Sequence, residues 1–190
     1  MFAHLSVLIS VILGLALTHL LRGLSKLIQK RDTVRPYWPH IIWTVNIIVY
    51  VLAVWWGMTG WNRLQTWTTE LFFFLSLYSI VIFLLASQIF PAEFPEDMDF
   101  EKYYYANNVW FFGMLLVASL IDIPETLLKE TLHLRDVPAQ YIYFMPGLLI
   151  IASISALSKN RRVHAVLCLV WLAMNAGYMT LTALEKAIAA

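Results

Sequence analysis

The chain has 190 residues, of which 61% are hydrophobic and 13% are charged, and its formal net charge is +1. A soluble domain carries about 25% charged residues and fewer apolar ones, so this composition excludes an ordinary soluble protein. The apolar residues form runs of about 20 residues between short polar connectors, and such runs match the hydrocarbon core of a bilayer. The sequence therefore predicts an integral membrane protein. Its expected partner is the lipid bilayer, and we expect it to bind no nucleic acid.

Six membrane-crossing helices are predicted along the chain. They cover residues 4–21, 37–58, 68–90, 105–121, 140–157 and 163–184. The connectors are too short for a separate soluble module, so residues 1–190 form a single domain. The predicted fold is all-α, a polytopic six-transmembrane-helix bundle with short loops and one outer interfacial helix.

The first crossing runs into a basic amphipathic segment, residues 20–31. Leucines and an isoleucine lie on one face of this segment, and basic residues lie on the other. Such a segment beside a crossing can rest on anionic lipid headgroups. The residues expected to contact these headgroups are Arg22, Lys26, Lys30 and Arg31.

The second crossing has aromatic residues at both ends and polar residues in its middle. Trp38 and Trp55 lie 17 residues apart, which is about 26 Å along a helix. Tryptophan prefers the two interfaces of a membrane, so this spacing explains both ends. Asn46 and Tyr50 share a stripe with small residues, which predicts an inward-facing helix surface.

The connector before the fourth crossing is acidic. Asp97, Asp99 and Glu101 alternate, so an extended chain would present three carboxylates on one side, as a Ca²⁺ or Mg²⁺ site requires. The segment lacks the glycine and the length of an EF-hand loop. We favour the alternative, in which the acids stabilise the start of the next helix and pair with basic loops on the same side of the membrane.

Residues 122–136 are predicted to form the outer interfacial helix between the fourth and fifth crossings. Leucines cluster on one face, opposite Lys129 and His133. Asp122 precedes Pro124 and stands three positions before Glu125, which is the pattern of a capping box with Asp in place of Ser or Thr. We therefore expect Asp122 to cap a new helix.

The sixth crossing carries a second polar stripe, which includes Asn175 and Tyr178. Polar side chains join helices in membranes through interhelical hydrogen bonds, and we favour this packing role for both stripes. The alternative is a hydrated path through the bundle or along a subunit interface.

Three histidines, His19, His40 and His164, are expected on the same side of the membrane. Imidazoles on neighbouring helices can hold haem iron, zinc or copper, or relay protons. No pair has the spacing of a helical metal site, and no cysteine accompanies them. We expect no cofactor, and interfacial histidines with water or backbone partners; a proton or substrate role for His19 or His40 is the functional alternative.

The distribution of Lys and Arg predicts the orientation of the chain. Nine basic residues lie on one side and four on the other, and the smaller set comprises Arg63, Lys129, Arg135 and Lys186. Basic loops stay in the cytoplasm, so both termini are expected outside. The predicted location is the cytoplasmic (inner) membrane of a bacterium.

Several signatures of membrane enzymes are absent, among them G-x-S-x-G, H-E-x-x-H and C-x-x-C, so an enzyme is the less favoured class. We predict permeation or transport of an ion or small solute by a homo-oligomer, because six short crossings alone enclose little volume. The alternatives are a scaffold or sensor subunit acting through its cytoplasmic loops, and a redox protein with haem or metal on its histidines. The candidate pathway residues are His19, Arg22, His40, Asn46, Tyr50, Asn175 and Tyr178.

Overall fold

The computed structural model describes residues 2–189, with the backbone alone at positions 186, 188 and 189. The side chain of Lys186, one of the four basic residues expected on the less basic side, thus lies outside the described residues. The helices are α1 (Phe2–Gln29), α2 (Trp38–Met58), α3 (Thr69–Ser87), α4 (Phe100–Thr131), α5 (Tyr141–Leu157) and α6 (Arg161–Ala189). A 3₁₀ segment, Thr59–Arg63, follows α2. The described chain contains no β-strand, and the all-α class is confirmed.

Five of the described helices are long and apolar enough to cross a membrane, namely α1, α2 with its 3₁₀ segment, α3, α4 and α6. They indicate an integral membrane protein, because each contains an apolar stretch that matches the bilayer core. The remaining helix, α5, is apolar but has only 17 residues.

The six helices pack as a closed ring in the order α1, α3, α4, α5, α6, α2, and α2 also touches α4 across the centre. Three connections, at residues 30–37, 88–99 and 158–160, lie at one end, which we call the aromatic end. The connections at residues 59–68 and 132–140 lie at the other, which we call the cavity end.

The prediction of a separate outer helix over residues 122–136 is wrong, as is the prediction that Asp122 caps it. Helix α4 continues through Thr131, with Asp122 and Pro124 in its interior. Glu125 and Lys129 are buried, and extending α4 carries both side chains to polar partners inside the bundle. These contacts offset the one backbone hydrogen bond that a proline removes from a helix.

The basic segment after the first crossing is a continuation of α1, which ends at Gln29. Lys26 and Lys30 donate hydrogen bonds to the carbonyls of Ala92 (3.4 Å) and Phe94 (3.0 Å) in the α3–α4 connection. Arg22 and Arg31 are exposed. Arg31 donates to the carbonyl of Ile28 at 3.3 Å and pairs with Asp32. Three of the four expected headgroup contacts are therefore engaged in part with the protein itself, and headgroup binding stays a prediction.

Candidate functional site

A cavity of about 440 Å³ lies at the cavity end, bordered by α2, α4, α5 and α6 and by Tyr78 of α3. This volume falls within the range of about 300–1,000 Å³ that small-molecule sites occupy. Its ionisable lining residues include two carboxylates and two cations, which are Asp122, Glu125, Lys129 and Arg135. Charged groups inside a helical membrane bundle are costly and mark functional sites, so these four residues define the candidate site.

Asp122 joins three helices at the cavity wall. Tyr78 of α3 donates its hydroxyl to Asp122 Oδ1 at 2.7 Å, and Tyr141 of α5 donates to Oδ2 at 3.0 Å. Within the described residues, no Lys or Arg forms an ion pair with this carboxylate. Asp122 is only half-buried and borders the cavity, so its oxygens keep acceptor capacity for a ligand.

Glu125 and Lys129 form a buried ion pair with further partners. Lys129 Nζ lies 2.5 Å from Glu125 Oε1 and donates to the carbonyl of Gly57 at 2.9 Å. Trp61 Nε1 donates to Glu125 Oε1 at 2.8 Å, and the ammonium lies 5.5 Å from the centre of the Trp61 ring. Buried charges are tolerated when they are paired and hydrogen-bonded. This pair therefore fixes the 3₁₀ segment and the end of α2 against α4.

Arg135 is the second cation that lines the cavity. Unlike Lys129, it forms no ion pair with another described residue. Its backbone N–H donates to the carbonyl of Lys129 at 3.4 Å, which holds the residue just beyond the end of α4. Its side chain is half-buried and lines the cavity. Among the residues that the structure describes, no carboxylate lies within ion-pair distance of it. The cavity thus presents one carboxylate and one guanidinium that have no ion-pair partner in the described part of the chain.

The spacing of α4 explains why its polar residues share one wall. Alternating steps of three and four residues place side chains on one face of a helix. The face consists of Asn108, Phe111, Leu115, Ala118, Asp122, Glu125 and Lys129. Sequence analysis missed the last three as site residues because it ended the helix at 121. The signal that would have found them is this unbroken spacing across Pro124.

The two predicted polar stripes meet at the base of the cavity. Tyr50, Asn175 and Tyr178 line the cavity. Asn46 is fully buried beneath them, where its Nδ2 donates to the carbonyl of Cys168 at 3.1 Å. Asn175 Nδ2 donates to Asn46 Oδ1 at 3.5 Å. The structure therefore brings these four predicted residues into one region and links the two asparagines directly.

The other predicted pathway residues lie at the aromatic end. Arg22 is exposed and His19 is half-buried on α1. His40 is buried, and its Nε2 donates to the carbonyl of Ile89 at 2.8 Å. It lines a void of about 10 Å³, at the lower limit for a single water molecule. The structure does not bring these three residues to the cavity.

His164 has both ring nitrogens occupied. Its Nε2 donates to the carbonyl of Ser158 at 2.9 Å, so its Nδ1 accepts from the Tyr104 hydroxyl at 2.7 Å. Among the described residues, no three His, Cys, Asp or Glu side chains are grouped so that they could hold a metal ion.

The acidic connector uses its carboxylates separately. Asp99 caps α4 by accepting from the backbone N–H groups of Glu101 (3.0 Å) and Lys102 (3.1 Å). The hydrogen bond from Lys102, followed by the one from Glu101, lowers the pKa of Asp99 although partial burial opposes it. Glu101, in the first turn of α4, pairs with Arg161, the first residue of α6 after the next basic connector. The expected pairing between acidic and basic loops is therefore confirmed, while Asp97 remains exposed.

Comparison of the chain with models of known protein families, with curated proteins and with solved structures found no match. The cavity and the charges that line it are consequently the basis for assigning a function.

Proposed function

We propose that this protein binds a small molecule in the cavity and transports it across the membrane. The observation that carries the proposal is the cavity of about 440 Å³, where Asp122 and Arg135 face the same space and have no ion-pair partner among the described residues. Intramembrane ionisable residues are retained where they serve substrate or ion pathways. A carboxylate and a guanidinium that border the cavity and keep capacity for a ligand fit that use better than a packing role.

Six crossings complete the proposed topology. Helix α5 begins after the connection at the cavity end and ends before a connection at the aromatic end. Its 17 residues span about 26 Å. It lies between α4 and α6 in the ring. A short apolar helix in this position crosses the bilayer with its two neighbours.

The aromatic end, which carries most of the basic residues, is placed in the cytoplasm by the same charge rule that orients other membrane proteins. The cavity and both termini then face outward, across the inner membrane of a bacterium. Arg22 and Arg31, which are exposed, are the proposed contacts with anionic headgroups. A homo-oligomer remains the proposed assembly.

A packed floor lies between the cavity and the aromatic end. Trp43, Phe112 and Trp171 are almost completely buried. The indole N–H groups of Trp43 and Trp171 have no hydrogen-bond partner among the described residues, and unpaired buried donors are costly. This arrangement suits the outward-open state of a transporter, in which the floor must rearrange before the ligand can pass.

Native mass spectrometry of the purified full-length chain tests the binding step. Ala53 lines the cavity and is exposed, whereas Ala176 is exposed but does not border the cavity. A small molecule should co-purify with the wild type and with Ala176→Trp, and it should be lost from Ala53→Trp because the indole fills the cavity. If no bound species depends on position 53, the proposal is wrong.

The transport step is tested with the molecule so identified, in isotope-labelled form. It should cross the bilayer of proteoliposomes that contain the wild type or Ala176→Trp, and not of those that contain Ala53→Trp. A molecule that binds in the cavity but never crosses would refute transport and leave the sensor alternative.

A further inference from the structure

The cavity has an apolar mouth toward the bilayer. Five of its lining residues are exposed, and all of them are apolar: Leu52, Ala53, Trp56, Met179 and Ala183. Three belong to α2 and two to α6. In a membrane-embedded bundle, exposed apolar side chains on these helices face lipid tails. The gap between α2 and α6 therefore connects the cavity with the hydrocarbon phase.

The outer half of α6 widens this mouth. Asn175 is buried, but every described side chain of α6 after it is exposed or half-buried. Below this point, His164, Cys168 and Trp171 are buried in the bundle. Helix α6 therefore packs tightly in its first half and leaves its second half beside an open cavity.

The wall opposite the mouth is charged. Asp122 lies on α4, away from the apolar mouth, and Arg135 follows the same helix. Each oxygen of Asp122 accepts one hydrogen bond from a tyrosine hydroxyl. A carboxylate has about four lone-pair sites in all, so about two remain for a ligand. A primary ammonium has three N–H donors to offer these sites. A quaternary ammonium has none.

Arg135 complements an anion beside that ammonium. A guanidinium presents a planar fork of N–H donors that matches the oxygens of a phosphate. The buried Lys129 competes little for the same anion, because Glu125 and the Gly57 carbonyl already occupy its ammonium. The cavity is thus matched to a zwitterion with an apolar portion that extends between α2 and α6.

We propose that the cavity takes a zwitterionic phospholipid with a primary ammonium, which enters sideways from the bilayer between α2 and α6. The ammonium binds Asp122, the phosphate binds Arg135, and the acyl chains leave past Trp56 and Met179. This inference rests on the proposed function and names the class of molecule that it concerns. A water-soluble zwitterion offers the same two charges, but it makes no use of the apolar mouth.

Lipid titration of the purified full-length protein, followed by native mass spectrometry, tests the inference. The probes are phosphatidylethanolamine, phosphatidylcholine and phosphatidylglycerol with identical acyl chains, and phosphoethanolamine without chains. The wild type should bind phosphatidylethanolamine about tenfold more tightly than the other two lipids, as expected for hydrogen bonds to a charged group. Phosphoethanolamine should bind more weakly still, because it lacks the chains that fill the mouth.

Two variants assign the charges. Asp122→Asn should remove the preference for phosphatidylethanolamine, and Arg135→Gln should weaken phosphatidylethanolamine and phosphatidylglycerol by the same factor. Glu130→Gln and Arg162→Gln change exposed residues that do not line the cavity, and they should bind as the wild type does. Thermal unfolding of each variant shows whether it is folded. If a variant does not fold, the comparison of the three lipids with the wild type still tests the inference.

Equal binding of the three lipids by the wild type would overturn the inference. So would phosphoethanolamine that binds as tightly as its lipid, since this outcome assigns the cavity to a water-soluble zwitterion. If a different molecule co-purifies with the wild type and is lost from Ala53→Trp, the lipid inference fails while the proposed function stands. If no ligand depends on position 53, both fail.

Discussion

Lys129 Nζ lies 2.5 Å from Glu125 Oε1, one helical turn earlier in α4, and their side chains are only 5% and 6% exposed. No other ion pair among the described residues is so enclosed: Lys102, which lies 4.0 Å from Asp99, is 85% exposed. Removing one member of a buried pair leaves an uncompensated charge, whereas removing both does not. The pair is therefore a sensitive test of how α4 is seated in the bundle.

Lys129→Met should lower the free energy of unfolding by about 3–5 kcal/mol, because Glu125 is left buried and unpaired. The double variant Glu125→Gln/Lys129→Met should be more stable than Lys129→Met, since Gln keeps an acceptor for Trp61 and carries no charge. Thermal unfolding in detergent measures both effects. Lys102→Met is the control and should change little, because exposed pairs contribute about 0–1 kcal/mol. Equal effects of Lys102→Met and Lys129→Met would contradict the buried pair.

The proposed orientation predicts which end of the bundle an impermeant thiol reagent reaches. Asp97 and Glu130 are exposed at opposite ends of the bundle. In intact cells Glu130→Cys should label, and Asp97→Cys should label only after the membrane is opened. The native Cys168 is buried, so the wild type serves as an unlabelled control. Labelling of Asp97→Cys in intact cells would refute the proposed orientation.

The two asparagines between α2 and α6 should differ in their effect on stability. A hydrogen bond between membrane helices contributes about 0.6 kcal/mol on average and at most about 1.7 kcal/mol. Asn46 takes part in hydrogen bonds with both Cys168 and Asn175, whereas Asn175 donates only to Asn46, at 3.5 Å. We expect Asn46→Leu to lower thermal stability in detergent more than Asn175→Leu does.

Asn107 offers a matched control for this pair, because its side chain donates to the carbonyl of Tyr103 within α4. Asn107→Leu removes no interhelical bond and should change the unfolding temperature least. An effect of Asn107→Leu as large as that of Asn46→Leu would show that the asparagine contacts do not join the helices.

The cap of α4 should make stability depend on pH. Backbone N–H groups stabilise the charged carboxylate of Asp99, so its pKa in the folded protein lies below its ordinary value of 3.8. A lowered pKa stabilises the folded state fully above the ordinary value, and this stabilisation is lost as the pH falls through the folded-state value. Asp99→Ala should therefore be less stable than the wild type near neutral pH, and the difference should shrink in acid.

Thermal unfolding in detergent between about pH 7 and pH 3 measures this difference. Glu96→Ala removes an exposed carboxylate of the same connector and should show no such convergence. A difference between Asp99→Ala and the wild type that is constant across the range would rule out a charged cap.

The sequence by itself determined the helices and their setting. Apolar runs of about 20 residues are incompatible with exposure to water and match the bilayer core, so the class and most helix boundaries followed from local composition. The inward faces of α2 and α6 were also readable, because side chains three and four residues apart share a face. Asn46 and Asn175 meet for this reason, and no knowledge of the ring order was needed to place them inside.

Only the tertiary structure decided where α4 ends and what its last turns do. The residues around Asp122 satisfy the pattern of a helix cap as well as that of a continuing helix, so local sequence does not distinguish the two. The partners that settle the matter are distant in the chain: Tyr78 lies 44 residues from Asp122, and Trp61 lies 64 residues from Glu125.

The same physical reason separates the two groups of predicted pathway residues. His40 lies at the same end of the bundle as His19 and Arg22, but its Nε2 is engaged by the carbonyl of Ile89, 49 residues away. At the cavity end, α6 separates from α2 beyond Asn175 and leaves space that no residue of the described chain fills. Hydrogen-bond partners and empty volume are properties of the packed ring of helices, and the spacing of residues along one helix does not contain them.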